Sequence, residues 1–146
     1  MSVKGNKELV QEVYKAWNAA AGDGAKFRAM NDKYFASGYT YHNPRADYTR
    51  EEMIKGLGAF ATAFPDASLS IDDLVAEGNK VVSRYTFEGT HKGTFMGAAA
   101  TGKKVVFKGV LIQTVAGGRI VEDWEILDEL GVMTQLGAIP SASPKR

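Results

Sequence analysis

One carboxylate ends an apolar row in a predicted strand, which suggests acid–base chemistry. Asp128 follows Trp124 and Ile126 at alternate positions, so the three side chains are expected to share one face. A carboxylate that faces an apolar pocket is poorly solvated, which raises its pKa and makes it a stronger general base toward a carbon acid. Asp is also common at helix N-caps, so the alternative role of Asp128 is to cap the short segment 129–136.

The two histidines are further candidates for proton transfer. His42 lies next to Pro44 in a strand-to-loop transition, and its imidazole titrates near neutrality, so it could protonate a forming alkoxide or orient a carbonyl. The alternative is a histidine hydrogen-bonded to backbone in a turn. His91 is similar in kind and ranks lower, because it stands beside Lys92 at the start of a long uncharged loop. The histidines form no helical His-x-x-x-His pair, so no metal site is predicted.

Arg84 lies in the middle of a predicted strand. An inward Arg84 could pair with Asp128 or hold an enolate oxygen. Its neighbours Tyr85 and Phe87 form the opposite row and are the more natural inward set, which favours a solvated Arg84.

Several aromatic residues could line a flat ligand, although such residues are often simply core. Trp124 is the preferred candidate because it shares a face with Asp128. The full set is Tyr14, Trp17, Phe60, Phe64, Phe107 and Trp124.

The elements that position these side chains change from helices to strands along the chain. Apolar residues at helical spacing predict a helix over 7–21, a shorter second helix capped by Asp23, and a third helix that opens with Thr49 and Glu52 as a capping box. The third helix is closed by Pro65.

Beyond the third helix the apolar period changes to two, which predicts an antiparallel meander. The expected strands are 81–90, 103–115 and 119–127, joined in part by turns at 77–80 and 117–118. The predicted class is therefore α+β, with three helices first and a sheet that curls around them to form the wall of a pocket.

Composition narrows the possible functions. The 146 residues fit one domain over 1–139, with a loose tail at 140–146. A balance of 18 basic and 17 acidic residues disfavours a nucleic-acid partner. The lack of Cys excludes disulfides, thiolate nucleophiles and iron–sulfur clusters. No stretch has the length of a signal peptide core or a membrane span, so a cytoplasmic protein that does not engage membranes is expected.

Six ordered blocks of sequence resemble the SnoaL-like polyketide cyclases of the NTF2-like (nuclear transport factor 2) superfamily. The resemblance covers nearly the whole chain, and the blocks occur at the right mutual spacing. They are 41–44 (YHNP), 63–66 (AFPD), 84–93 (RYTFEGTHKG) with 95–97 (FMG), 102–107 (GKKVVF), 117–124 (GGRIVEDW) and 128–137 (DELGVMTQLG).

This resemblance implies a cone-shaped domain with a deep apolar cavity, usually assembled as a dimer or tetramer. It also implies an intramolecular aldol closure of an aromatic polyketide ester without a metal or organic cofactor. The family's key carboxylate would fall on Asp128, and a histidine of its Tyr-x-His-x-Pro block on His42. Epoxide hydrolases on the same fold place an Arg between two acids, which keeps Arg84 as a candidate.

Two hypotheses of different class follow. The first is a homodimeric enzyme without cofactors, in which Asp128 removes a proton next to a carbonyl of an apolar polyketide-like ligand and His42 steadies the developing charge. An isomerase or an epoxide hydrolase on the same fold is its nearest enzymatic rival. The second is a dimeric module that binds a small apolar ligand without catalysis.

Overall fold

The first helix begins earlier than its apolar pattern predicts. A computed structural model describes residues 2–139, so the tail predicted at 140–146 lies outside the described residues. Ser2 accepts a hydrogen bond from the Gly5 N–H at 3.0 Å and thereby caps the helix. Val3 and Lys4 are exposed and the buried Asn6 is polar, so the spacing of apolar residues did not reveal this first turn.

The predicted caps of the second and third helices are confirmed. Asp23 accepts a hydrogen bond from the Lys26 N–H at 3.0 Å, and Thr49 and Glu52 form a reciprocal capping box. A fourth helix follows the last strand. The helices are α1 (Val3–Ala19), α2 (Gly24–Tyr34), α3 (Arg50–Ala63) and α4 (Glu129–Gln135).

The strands form one six-stranded mixed sheet. Its order is β2-β1-β6-β5-β4-β3, and β1 runs parallel to β6 while the other neighbours are antiparallel. The strands are β1 (Phe35–His42), β2 (Asp47–Thr49), β3 (Ser68–Glu77), β4 (Lys80–Thr90), β5 (Lys104–Ala116) and β6 (Arg119–Leu127).

The prediction that three helices precede an all-antiparallel sheet is wrong at β1 and β2. Both strands lie between α2 and α3, and β1 joins the sheet in parallel with the last strand. A register shift between Phe35 and Thr40 interrupts the alternation of β1, and β2 has only three residues, so neither strand has a clear period of two.

The sheet has a buried inner face and an exposed outer face. Residues of β4 and β5 alternate between the two, and the inner face packs against α1 and α3. Tyr85 and Phe87 lie on the inner face, as the sequence favoured, and Arg84 lies on the outer face. Within residues 2–139, no helix combines the length and apolar character needed to cross a membrane.

Candidate active site

A largely apolar pocket of about 170 Å³ lies between the helices and the inner face of the sheet. Aromatic rings form much of its wall. Apart from the tyrosine hydroxyls and the indole N–H, its polar lining groups belong to Gln113 on β5 and to Asp123 and Glu125 on β6. The aromatic lining residues are Tyr14, Trp17, Phe35, Tyr39, Tyr41, Phe60, Tyr85, Phe87 and Phe107.

Asp123 and Glu125 face this pocket because they occupy alternate positions of β6. Gln113 is the register partner of Asp123 on β5, so the amide and the carboxyl group lie on the same face. On the other side of β6, the parallel pairing places Tyr41 opposite Asp123 and brings the β1 tyrosines beside these carboxyl groups. Two carboxyl groups therefore sit among aromatic rings, where charge is poorly solvated.

Asp123 is the more deeply buried carboxyl group, with 5% of its surface exposed. Burial raises the pKa of Asp123 to about 7, and hydrogen bonding to the Tyr39 hydroxyl and the Gln113 side chain only partly offsets this effect. The Tyr39 hydroxyl donates to Asp123 Oδ2 at 2.5 Å, whereas Oδ1 has no partner among the described residues. Oδ1 is thus a buried acceptor that no hydrogen bond from the described residues satisfies.

Glu125 is held by two phenols. The hydroxyl groups of Tyr41 and Tyr85 donate to its Oε1 and Oε2 at 2.6 and 2.7 Å. Burial raises the pKa of Glu125, and both hydroxyl groups oppose this shift because they stabilise the ionised form. Burial also raises the pKa of Tyr41 and Tyr85, so both phenols stay protonated as donors.

The two carboxyl groups differ in their burial and in their hydrogen bonds. Burial raises the pKa of Asp123 to about 7, which favours its protonated form, and one of its oxygens has no partner among the described residues. Both oxygens of Glu125 accept a hydrogen bond, which favours its ionised form. An ionised carboxylate beside a protonated carboxylic acid can remove one proton and donate another.

The sequence-predicted aromatic residues divide between the pocket wall and the packing around it. Tyr14, Trp17, Phe60 and Phe107 line the pocket. Phe64 is fully buried behind the wall and packs on Phe60, with ring centroids 4.9 Å apart.

His91 is fully buried outside the lining. Its ring lies 5.6 Å from that of Phe64, and the Thr101 N–H donates to its Nδ1 at 3.2 Å. This contact fixes the long loop to the sheet.

The expectation that Trp124, Ile126 and Asp128 face the pocket is wrong. Trp124 is 49% exposed and Ile126 is 65% exposed, so this row forms part of the outer face. Alternation separates the two faces of a strand but does not say which face is inward. The inward row instead carries Asp123 and Glu125, although Asp and Glu are seldom buried.

Asp128 has the capping role that was left open as its alternative. Its Oδ1 accepts a hydrogen bond from the Gly131 N–H at 2.9 Å at the start of α4. It lines a separate pocket of about 240 Å³ that also touches Tyr41 and Glu125. Asp128 is therefore next to the carboxyl groups of the aromatic pocket but is not part of its lining.

His42 also lies on the outer face. Its ring stacks on Trp124 with centroids 4.5 Å apart, and its Nδ1 and Nε2 lie 2.5 and 3.0 Å from carboxylate oxygens of Asp47 and Glu122. The hydrogen bond to Asp47 is the main reason why the pKa of His42 is raised, and Glu122 adds to it. The imidazole is a structural ion-pair partner in this position.

Arg84 makes no contact with the pocket. Its guanidinium pairs on the outer face with Asp73 at 2.7 Å and with Asp72 at 3.6 Å. The structure thus brings together neither Asp128 and His42 nor Asp128 and Arg84.

The polar groups that sequence reasoning missed carry a recognisable signal. Tyr39 and Tyr41 have a spacing of two, as do Asp123 and Glu125. Two such pairs on neighbouring strands place phenols beside carboxyl groups. These two pairs indicate a site only if β1 is known to lie beside β6. No local sequence pattern predicts that parallel pairing.

The six-stranded mixed sheet, the helices on its inner face and the pocket between them are consistent with an NTF2-like α+β domain. The model of the SnoaL-like polyketide cyclase family matches residues 9–136, and the chain belongs to this family.

Solved structures agree with this assignment. AclR, a proposed hydroxylase from Streptomyces galilaeus, is 26% identical with a TM-score of 0.87 over 97% of this chain and 87% of its own. TsrD from Streptomyces laurentii is 31% identical with a TM-score of 0.74 over 90% and 97% of the two chains. IdmH, a proposed polyketide cyclase from Streptomyces antibioticus, is 27% identical with a TM-score of 0.75 over 90% and 98%. No curated protein matches the chain significantly.

The substitution Asp123→Asn is expected to stabilise the protein at pH 8. A carboxyl group whose pKa rises from 3.8 to about 7 on folding binds its proton more tightly in the folded state, so stability falls as pH rises between these values. The neutral amide of the variant escapes this loss, which amounts to at most about 4 kcal/mol for a shift of this size. Urea unfolding at pH 5 and pH 8 measures the difference. The control Asp128→Asn should show no such gain, and an equal effect of Asp123→Asn at both pH values would contradict the expectation.

The substitution His42→Gln is expected to destabilise the protein more at pH 5.5 than at pH 9. The pKa of His42 is raised on folding, so its stabilisation is fully present below the unfolded value of about 6.5 and is lost as pH rises through the folded value. Thermal unfolding at the two pH values checks this. Asp47→Asn should weaken the same pH dependence, and a pH-independent loss in His42→Gln would show that stacking on Trp124 is its only contribution.

Proposed function

We propose that this protein is an acid–base catalyst that acts on an apolar, polyketide-like carbonyl compound without a cofactor. Aldol-type ring closure is the reaction that the site fits best. The proposal rests on one observation, the presence of two differently hydrogen-bonded carboxyl groups, Asp123 and Glu125, on the wall of an aromatic pocket. Membership of the SnoaL-like family and the likeness to IdmH support it.

Glu125 is the proposed general base. Its two phenol donors favour the carboxylate, while burial keeps it more basic than a solvated glutamate. Asp123 is the proposed general acid, because burial holds much of it protonated near neutral pH and its Oδ1 has no protein partner among the described residues. Tyr39 fixes the orientation of Asp123 through Oδ2.

The proton balance of the reaction closes with these two groups. Glu125 takes a proton from the carbon next to a ligand carbonyl, and the electron pair of that C–H bond forms the enolate, whose oxygen accepts a hydrogen bond from Asp123. The enolate carbon forms the new C–C bond to a second carbonyl carbon. The alkoxide produced there takes the proton of Asp123. Glu125 then releases the proton it took and Asp123 binds one from solvent, so no net proton is consumed and the starting state of the pair is restored.

The pocket favours a planar ligand with one or two rings inside. Its volume of about 170 Å³ is close to that of an engineered cavity of about 150 Å³ that binds benzene. Aromatic walls add stacking and edge contacts for such a ring. A longer ligand would extend toward the second pocket, which shares Tyr41 and Glu125 with this one.

The polar residues that line the aromatic pocket argue against an epoxide hydrolase. That chemistry was expected to need an Arg between two acids, and the described residues that line the pocket include neither Arg nor Lys. Arg84 is paired with Asp72 and Asp73 on the outer face.

Proton exchange at the α-carbon of 1-tetralone in D₂O is a direct test. This bicyclic ketone needs no ring closure to report enolate formation, and NMR follows its loss of α-protons. Wild type is expected to accelerate the exchange, and Glu125→Gln is expected to lower the rate by about 10²-fold or more. Asp128→Asn serves as the matched control. Loss of exchange in Asp128→Asn with retention in Glu125→Gln would overturn the assignment.

The same exchange is expected to slow as pH rises above about 7. The proposed acid, Asp123, loses its proton there because its pKa is raised to about 7. Asp123→Asn should exchange more slowly and lack this alkaline limb. A wild-type rate that keeps rising through pH 9 would contradict the role of Asp123.

We further propose a homodimer formed through the outer face of the sheet. Val110 pairs with Ile126 and Ile112 with Trp124 across β5 and β6, and all four are exposed on this face. Such a contiguous apolar patch is characteristic of an interface. Light scattering should give twice the chain mass, and Ile126→Lys should shift the protein to monomer. A wild-type monomer at all concentrations would contradict this.

A further inference from the structure

We propose that Gly109 is a positioning residue for Glu125. Its lack of a side chain gives the ring of Tyr85 room to cross β5 and donate a hydrogen bond to the carboxylate. The hydrogen bond between Tyr85 and Glu125 is seen in the structure. Its effect on catalysis rests on the proposed function of Glu125.

The register explains why the ring of Tyr85 must cross the middle strand. Tyr85 lies on β4 and Glu125 on β6, with β5 between them. Two strand spacings of about 4.8 Å separate the backbones of β4 and β6. The Tyr85 hydroxyl nevertheless lies 2.7 Å from Glu125 Oε2, so the side chain leans over β5. The β5 residue directly opposite Tyr85 is Gly109.

A side chain at position 109 would occupy the place of the ring. An ideal Cβ there would lie 2.5 Å from Tyr85 Cζ and 2.9 Å from Cε2, and closer still to the hydroxyl oxygen. Real Cβ atoms do not approach other atoms this closely. The ring would therefore have to move, and the hydroxyl would move with it.

The backbone of β5 gives no other reason for this glycine. Gly109 lies within the regular hydrogen-bonded ladder of β5, and its φ angle is not positive. Glycine in the interior of a strand weakens the strand, because it has no side chain to pack and loses more chain entropy on folding. The space above Gly109 is the feature that a larger residue would remove.

Loss of the Tyr85 contact would leave Glu125 with Tyr41 as its phenol donor. A carboxylate that loses a hydrogen bond to its charged form binds a proton more readily. Gly109→Ala is therefore expected to raise the pKa of Glu125 and to move the acid limb of α-proton exchange to higher pH.

Carboxyl ¹³C NMR titration of full-length protein labelled at Glu tests this directly, with Glu125→Gln used to assign the signal. Gly109→Ala and Tyr85→Phe should each raise the titration midpoint of Glu125. The double variant should show no further rise, because both changes remove the same hydrogen bond. An unchanged midpoint in folded Gly109→Ala, or additive rises in the double variant, would overturn the proposal.

Gly89→Ala is the matched control. Gly89 also lies in the sheet against an aromatic ring, but its added Cβ would meet Phe87 and Phe64 rather than Tyr85. Gly89→Ala should change the melting temperature and leave the Glu125 midpoint in place. A shift of the midpoint equal to that of Gly109→Ala would show a general packing effect and overturn the positioning role.

Two further measurements distinguish the positioning role of Gly109 from a folding defect and from the proposed function of the site. If Gly109→Ala does not fold, Gly109→Ala combined with Tyr85→Leu should restore folding, because the shorter side chain removes the clash. Failure to restore it would overturn the proposal. If the midpoints shift as expected while wild type exchanges no α-protons of 1-tetralone, the positioning role stands and the proposed function fails.

Discussion

The parallel pairing of β1 with β6 is the constraint on which the site depends. It places Tyr41 opposite Asp123 in register and brings Tyr39 within 2.5 Å of the same carboxyl group. Without β1 beside β6, Asp123 would lose its phenol donor and Glu125 would lose one of two. The antiparallel strands β4 and β5 place the remaining polar side chains, Tyr85 and Gln113, on the same wall of the pocket.

Burial of two carboxyl groups among aromatic rings is unfavourable for stability, and the structure offsets this only in part. Glu125 receives two phenol donors, whereas Asp123 keeps a buried oxygen without a partner among the described residues. An unsatisfied buried polar atom costs about 1–3 kcal/mol. Destabilising the ionised form of a carboxyl group raises its pKa toward neutral pH, where it can exchange protons with a ligand. The same burial lowers the stability of the fold, so function and stability conflict at this site.

Much of the fold could be predicted from short stretches of sequence, whereas the carboxyl groups of the aromatic pocket could not. The caps at Asp23 and Thr49 and the strand at 119–127 needed only neighbouring residues, and they are confirmed. The inward face of that strand depends on what packs against it, which alternation does not encode, and the sequence reasoning chose the wrong face. The family resemblance correctly gave the fold but placed its carboxylate on Asp128, which caps α4 beside the pocket.

The most direct test of the central claim is a carboxyl ¹³C NMR titration of Asp123, with and without 1-tetralone. The expected midpoint in the free protein is about 7. It should rise when the ketone binds, because the protonated form of Asp123 donates a hydrogen bond to the carbonyl oxygen and is stabilised by it. A midpoint near the ordinary value for Asp of about 4, unmoved by the ketone, would contradict a pocket built for acid–base chemistry on carbonyl compounds.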